Sequence, residues 1–348
     1  MMSKDQARAV KFRVKIPITI NMAMYQGCTV VANKKYTNMP KSLFVTGNSS
    51  HNIRNGEAVD TDKDKQIIKA VFGNGPKDIS LLGKGVYNQY GIAETGFNIS
   101  SCQFAMHYFF ENKTTFHNFI RNVAECTKIN GYFIGTCYDG KTVFNLLDNK
   151  PNGTGFTIFK NNRKIYEITK EYDQTGFPSE EMSLGYGINV YQESINKVFR
   201  EYLVNFDYLI RIMEDYGFVL VNKEEAETMN LPDGSGLFSE LYSAMEVELK
   251  QQPSRKVDYG RAIYMSPEER QISFMNRYFV FKKMRSLDVK KMADIILRKE
   301  EETSNIVDTI LDTDNENAIE SSVKKSKPKI IAKKLKKDKI IIQKVVMK

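Results

Sequence analysis

The chain has 348 residues, 41% of them hydrophobic and 11% aromatic, enough to bury a sizeable core in one large domain or two ordinary ones. No stretch approaches the roughly 18 consecutive apolar residues of a membrane span, and the N-terminus lacks the short apolar core and small-residue cleavage site of a signal peptide. The net charge of +9 is unevenly spread: Lys324 to Lys348 holds eleven lysines against the single Asp338, about +10, so residues 1 to 323 stand near −1. A broad attraction for phosphate therefore belongs to the tail, and specific recognition needs a pocket. Cys28, Cys102, Cys126 and Cys137 form no CxxC pair and the three histidines are scattered. This pattern predicts reduced thiols, an intracellular and non-secreted protein, and no metal site.

In chain order, residues 1 to 35 give little, with an apolar stretch at Ile16 to Tyr25 broken by Pro17 and Gly27 as the only glycine. LFVTG, within Lys41 to Ser49, reads as a short strand closing on Asn48 and Ser49. IIKAVF is helix-like. GKGVYNQYG is a glycine-rich connection whose resemblance to a dinucleotide fingerprint is weak, because it precedes a strand instead of following one. Gly96 to Cys102 is a strand whose polar residues gather at its C-terminal end, where ligands bind in open α/β sheets. Phe116, Phe119, Ile120 and Val123 then set a helical period, with Thr114 or Thr115 as N-cap and Gly131 as C-cap, and GYFIGT is a second buried strand.

Residues 96 to 136 are thus a β-α-β unit with its polar apex at SCQFAMHYFFE, Ser101 to Glu111. Lys141 to Leu147 is a short helix. Residues 149–186 read as an inserted hairpin, with alternating Phe156, Ile158, Ile165 and Ile168. Phe199, Tyr202, Leu203, Phe206, Leu209, Ile210 and Met213 predict one amphipathic helix over Val198 to Tyr216. Strand-like Phe218 to Val221, a helix near Leu237 to Leu249, and a last strand FMNRYFVF complete the pattern, with the final hairpin antiparallel. Beyond about Glu300 the composition cannot bury enough apolar surface to order.

At the apex, Phe104, Tyr108 and Phe109 offer π-faces on which a nucleobase can stack, and His107 offers a donor for a purine edge. A buried core pair is the ordinary reading of the same residues. Glu201, placed by the helical period at a helix start, is by default a solvated acid favoured by the dipole; as a ligand it can accept the N1 and N2 protons of guanine.

SCQFAMHYFFE, then RNV, NGYFIGT and REYLVNF, with NKKYTNMPKSLFVTGNS before and NRYFVFKK after, resemble the mRNA cap guanine-N7 methyltransferases in the form found at the C-terminus of large-DNA-virus capping enzymes. The resemblance covers roughly Cys28 to Lys283. It implies a Rossmann-like class I fold dependent on S-adenosylmethionine, α/β with a mostly parallel sheet and an antiparallel final hairpin. Residues 1–27 are an atypical N-terminal segment, 28–283 the methyltransferase-like domain, and 284–348 a charged linker and lysine-rich tail. Gln103, Ser101 and the adjoining backbone fall where the family contacts S-adenosylmethionine, and Asn48 where it has an acid for the adenine. Phe104, His107 and Tyr108 would line the cap pocket, Glu201 would read guanine, and Tyr278 or Asn276 would close it.

Two departures from the family pattern stand out. The DxGxGxGGD loop that cradles the methionine end of the cofactor is missing, as is the next strand's Asp for the ribose, so the first βα elements are expected to be absent. Tyr138 stands in TCYDG where cellular relatives have proline. The resemblance implies methyl transfer to N7 of a capping guanosine, with capped RNA as partner, other capping-enzyme domains or subunits alongside, no membrane, and a cytoplasmic viral replication site or the virion as setting. The alternative is a non-catalytic cap- or RNA-binding remnant that lacks the cofactor loop.

Overall fold

A computed structural model describes residues 9–14, 42–288 and 291. The expectations for Ile16 to Tyr25, for Cys28 and for the lysine tail lie outside these residues.

Strand β1 (Ala9–Val14) pairs in parallel with β2 (Ser42–Gly47), the expected LFVTG strand. Helix α1 (Asp62–Val71) contains IIKAVF and starts at Thr61, whose side chain accepts from the Asp64 N–H. GKGVYNQYG, expected as a connection, instead supplies most of helix α2 (Ile79–Tyr87), which kinks at Gly83 and buries none of its residues. A core of Val45, Ile53, Val59, Ile68, Val71 and Phe72 joins β2 to α1.

Strand β3 (Phe97–Gln103) leads into a short 3-10 helix, Met106–Glu111. Helix α3 (Lys113–Cys126) follows, and strand β4 runs from Thr127 to Tyr138. The N-cap of α3 is Asn112 and not Thr114 or Thr115, because the Asn112 side chain accepts from the Thr115 N–H at 2.9 Å. Nor does Gly131 cap that helix. The chain leaves α3 at Thr127, whose hydroxyl donates to the Val123 carbonyl, and enters β4 directly. Gly131 lies inside β4, where the register with β3 shifts between Phe97 and Ile99. A Cβ there would sit 3.0 Å or less from the Lys128, Asn98 and Phe97 carbonyl oxygens, so the bulge requires glycine.

Helix α4 (Gly140–Leu146) is the short helix expected after β4. Beyond it, strands β5 (Gly155–Lys160) and β6 (Arg163–Glu171) form the expected hairpin, but the hairpin is half of something larger. β7 (Gly187–Gln192) and β8 (Lys197–Tyr202) extend it into a four-stranded antiparallel sheet in the order β5-β6-β7-β8. The helix expected over Val198 to Tyr216 is therefore two elements. Lys197 to Tyr202 alternates inward and outward as a strand, and α5 (Phe206–Asp215) begins only after Asn205, whose side chain accepts from the Tyr208 N–H. The helical spacing of Phe199, Tyr202 and Leu203 was coincidental with the strand period, and Glu201 belongs to β8, not to a helix start.

Strand β9 (Phe218–Leu220), helix α6 (Lys223–Thr228), strand β10 (Ser235–Leu237) and helix α7 (Phe238–Gln251) come next. Helix α8 (Pro267–Ser273) precedes the final strand β11 (Asn276–Lys283). β3, β4 and β11 build a five-stranded sheet with β9 and β10 along the outer edge of β11. β3 and β4 are parallel, while β11 runs antiparallel to β4, β9 and β10. The class is α/β with the antiparallel closing hairpin, and the sheet is mixed because three of its pairings run through β11.

One face of this sheet carries Phe133, Phe279 and Phe281, packed against Phe119 of α3 and Phe206 of α5. Gly135 admits this packing: a Cβ there would stand 2.3 Å from the Phe279 ring. The inner face of the antiparallel sheet contributes Ile158, Tyr166, Ile168, Ile188 and Val190 to a second core that includes Tyr138 and Phe144. The apex of the β-α-β unit lies where the two sheets meet.

Candidate active site

The 3-10 helix is held from two sides. On one, Phe109 stacks on Phe119 at 3.9 Å between centroids and Phe110 packs on Phe116 at 4.7 Å, fixing it to α3. On the other, the Gly185 N–H donates to the Phe110 carbonyl, and the Tyr202 hydroxyl donates to Glu111. Aromatic anchors at Phe109 and Phe110 leave His107 and Tyr108 to meet β8.

There they meet Glu201. Its backbone pairs with Ile188 of β7, which places an acid on the apolar inner face of the sheet. The Tyr108 hydroxyl donates to Glu201 Oε1 at 3.2 Å, and His107 Nε2 lies 3.5 Å from the same oxygen. The rings of His107 and Tyr108 are 4.3 Å apart, and the Tyr138 ring packs against His107 at 5.5 Å and 30°. Glu201 and His107 are 6% and 4% exposed, and among the described residues Glu201 Oε2 and both imidazole nitrogens have no hydrogen-bond partner. Such atoms in a native fold mark a strain reservoir, a binding role or an unseen ligand.

Burial pushes the Glu201 carboxyl up to about 8, the Tyr108 hydrogen bond opposing it only in part. Burial also drives the His107 imidazole down to about 3. At neutral pH the contact is thus between a largely protonated acid and a neutral imidazole, not an ion pair, since desolvation disfavours both charged forms. Tyr108 is held protonated by the same burial and by Glu201.

The other expected site residues sit around this cluster. Gln103 ends β3 with its side chain exposed, accepting from Thr136 Oγ1 at 2.8 Å and donating to Ser101 Oγ at 3.0 Å. Ser101, Gln103 and Thr136 therefore form a polar ladder at the C-terminal end of the parallel pair. Phe104 turns outward, half exposed with φ at +48°, edge-on to Phe238 of α7, and takes no part in the His107–Glu201 contacts. Asn48 follows β2 in a tight turn, its side chain accepting from the Ser50 N–H.

On β11, Asn276 pairs in register with Tyr138, and Tyr278 with Thr136. The Tyr278 hydroxyl is committed to the Asp233 carbonyl at 3.0 Å. The Asn276 amide nitrogen donates to the Ile272 and Ser273 carbonyls, while its Oδ1 is buried without a partner. Below the cluster, Arg277 Nε bonds Asp139 Oδ2 at 2.7 Å, and Asp139 Oδ1 caps α4 through the Thr142 N–H. Sequence reasoning missed Thr136, Tyr166 and Gln192. Only the β-branched end of GYFIGT hinted at the first, and nothing local marked the other two.

Polar residues at the C-terminal ends of the parallel strands of a mixed α/β sheet thus stand beside a buried aromatic cluster around a carboxyl with one unpartnered oxygen, an arrangement able to hold a polar ligand. Comparison with known proteins makes the assignment specific. The mRNA (guanine-N(7))-methyltransferase domain matches residues 54–284, and the chain belongs to that family. It is 26% identical over 235 residues, 62% of this chain, to the "Probable mRNA-capping enzyme" of Acanthamoeba polyphaga mimivirus. It is 31% identical over 129 residues, 36% of this chain, to the "mRNA cap guanine-N(7) methyltransferase" of Saccharomyces cerevisiae. The chain spans 19% and 29% of the length of these two relatives. Among solved structures it is similar to the CcbJ methyltransferase of Streptomyces caelestis, with a TM-score of 0.38 and 9% identity over 79% of this chain and 74% of that one, a likeness too distant to carry detail.

Proposed function

We propose that this chain binds the guanosine of an RNA cap and methylates it at N7, with Glu201, Tyr108 and His107 as the recognition set. The observation that supports this reading most is Glu201 itself. A carboxyl buried on an apolar sheet face, with Oε2 unpartnered and Oε1 bracketed by Tyr108 and His107, offers two acceptor oxygens to the N1–H and N2–H edge of guanine. Such an edge is what pays the desolvation that the fold alone leaves uncompensated. Tyr108 and Tyr138 provide aromatic faces beside the base. Of the two residues on the last strand, Asn276 is the better candidate to close the pocket. It is opposite Tyr138 and keeps a free Oδ1, whereas Tyr278 is committed to Asp233.

The N7 lone pair of guanine is unprotonated at neutral pH, so the reaction needs no general base, and among the described residues the cluster contains no nucleophile and base in contact. S-adenosylmethionine, when bound, supplies a methyl group on a sulfonium leaving group. Ser101 and Gln103 at the exposed end of β3, with Asn48 at the end of β2, are of the right polarity for its adenosine end. The described residues hold no glycine-rich acidic loop for its methionine end. What this chain's residues contribute is orientation and exclusion of water around the base, effects that can be worth about 7 to 11 kcal/mol together. Capped RNA is the substrate on this reading, with the lysine tail adding salt-dependent, sequence-independent RNA affinity. The remaining capping-enzyme domains are partners, and a viral cytoplasmic setting fits the mimivirus relative.

The test is equilibrium binding of GpppA by wild type and Glu201→Gln, with thermal melting in parallel. The variant is expected to lose about tenfold to a hundredfold in affinity, as for hydrogen bonds to a charged acceptor, while remaining folded. Wild-type affinity should climb from pH 6 to pH 8, because the ionised carboxylate is the form that accepts both N–H donors. Unchanged affinity in the variant removes Glu201 from the site.

A further inference from the structure

We infer that Tyr166, on the antiparallel sheet, is a positioning residue for guanine recognition, acting through a hydroxyl pair with Tyr138 that sets the face of the pocket behind His107; the inference rests on the guanine reading of the site. Tyr166 is on β6 and Tyr138 ends β4, so the pair bridges the two sheets. Their hydroxyl oxygens are 2.7 Å apart, and both residues belong to the core at 1% and 6% exposure.

Two buried phenols are a poor choice for packing alone. Phenylalanines would fill the same volume without two hydroxyls to desolvate. Here the two hydroxyls partner each other. Gln192, directly opposite Tyr166 in the β6–β7 register, is near enough to the Tyr138 hydroxyl to act on it electrostatically. The phenol of Tyr138 is thus anchored at its hydroxyl by Tyr166, with its ring set against His107 at 5.5 Å and 30°. His107 in turn meets Glu201 at 3.5 Å. The carboxyl is close enough to act electrostatically on both phenols. Of the two hydroxyl protons the pair consumes one, which leaves polar capacity beside a carboxyl whose Oε2 is itself unpartnered. The tyrosine pair therefore lies in the core with its polar atoms on the side of the Glu201 carboxyl, within its electrostatic reach.

Tyr166→Phe and Tyr138→Phe test this on the whole chain, each measured for binding of GpppA, of IpppA, which lacks the guanine N2 amino group, and of ApppA, with melting temperatures alongside. Each variant is expected to bind GpppA about tenfold more weakly, the size of one lost hydrogen bond. The preference for GpppA over IpppA should shrink, ApppA binding should stay as in wild type, and the double variant should lose no more than either single one. If both variants bind GpppA as wild type does while Glu201→Gln loses it, the positioning role is wrong and the guanine site stands. If Glu201→Gln also binds normally, the guanine site itself is wrong. A loss that is equal for GpppA, IpppA and ApppA and follows the fall in melting temperature makes the hydroxyl pair structural and overturns the proposal.

Discussion

The two sheets treat buried charge in opposite ways. In the mixed sheet, Asp139 bonds Arg277 and caps α4, and the Arg277 guanidinium also lies 4.0 Å over the Phe206 ring. Lys283 is buried at the end of β11, yet its ammonium donates to the Ala124 and Thr127 carbonyls at 2.5 and 2.8 Å, where the C-terminal end of α3 favours a cation. On the inner face of the antiparallel sheet, Glu201 faces His107, Tyr108, Tyr138 and Tyr166 and no cation, with polar atoms left over. Satisfied charge holds the fold together. An ionisable group left unsatisfied, held in place by a fold that would be more stable without it, is what a ligand can use.

That contrast predicts opposite signs for two substitutions. The largest effect is expected for Asp139→Ala. It strands Arg277, whose side chain is only 19% exposed, and uncaps α4 in one step. Breaking one partner of a buried pair costs about 3 to 5 kcal/mol, which for a domain of this size lowers the melting temperature by on the order of 10 °C. A melting temperature within a degree or two of wild type would mean that the pair is as dispensable as a surface contact.

Glu201→Gln should raise stability, and only in a defined pH range. The ordinary carboxyl value is 4.5 and the folded value about 8, so between them the native state holds a proton that the unfolded state has released. Stability contributed by this group falls as pH rises through that window. His107 works the other way: ordinarily 6.5 and about 3 when folded, it makes stability rise with pH from about 3 to 6.5, and His117, held at about 4 mainly by burial, adds to that rise. The Glu201 and His107 contributions oppose each other between about 4.5 and 6.5, and only the loss from Glu201 remains from 6.5 to 8. Wild type should therefore melt lower at pH 8 than at pH 6.5. The glutamine variant should gain up to about 4 kcal/mol over wild type at pH 8, and less than about 1 kcal/mol at pH 5. A pH-independent difference would show that Glu201 is ionised in the folded chain.

A smaller loss, about 1 kcal/mol as for other helix caps, is expected for Asn205→Ala, which removes the acceptor for the Tyr208 N–H at the start of α5. Chemical denaturation is sensitive enough to read it. A loss below a few tenths would move the helix start elsewhere.

What the sequence revealed and what it hid divide along the same line as the charges. The β3–α3–β4 unit was legible because its signals are local: a strand closing on polar residues, then Phe116, Phe119, Ile120 and Val123 on one face of a helix. Its boundaries were less so, since Asn112 and the bulge at Gly131 depend on which carbonyls lie nearby. His107, Tyr108 and Glu201 were recognised by their motifs, but the reason they belong together was not legible. The burial of Glu201 depends on pairing with Ile188, and the Tyr138–Tyr166 contact joins residues 28 positions apart on different sheets. The sharpest misreading, a helix over Val198 to Tyr216, arose because Phe199, Tyr202, Leu203 and Phe206 satisfy the 3.6-residue period by chance. The cap at Asn205 was the overlooked signal.

That boundary gives the smallest and most discriminating prediction, Val198→Ala. Val198 is 58% exposed on β8, the edge strand of its sheet, paired in register with Tyr191. Because it is exposed, little burial energy is at stake, and backbone preference with one cross-strand contact decides the outcome. In a helix, alanine is the better residue by about half a kcal/mol, since valine loses side-chain freedom against the preceding turn. In a strand the preference reverses by a similar amount, because the branched side chain packs on its cross-strand neighbour. The sign of the change therefore reports the element directly. Val198→Ala is expected to destabilise by about 0.5 kcal/mol, read from the midpoint of a urea titration with an unchanged slope. A gain of the same size would return residues 198 to 202 to the helix, take Glu201 off the inner face of the sheet, and remove the geometric basis for its burial and for its contact with His107.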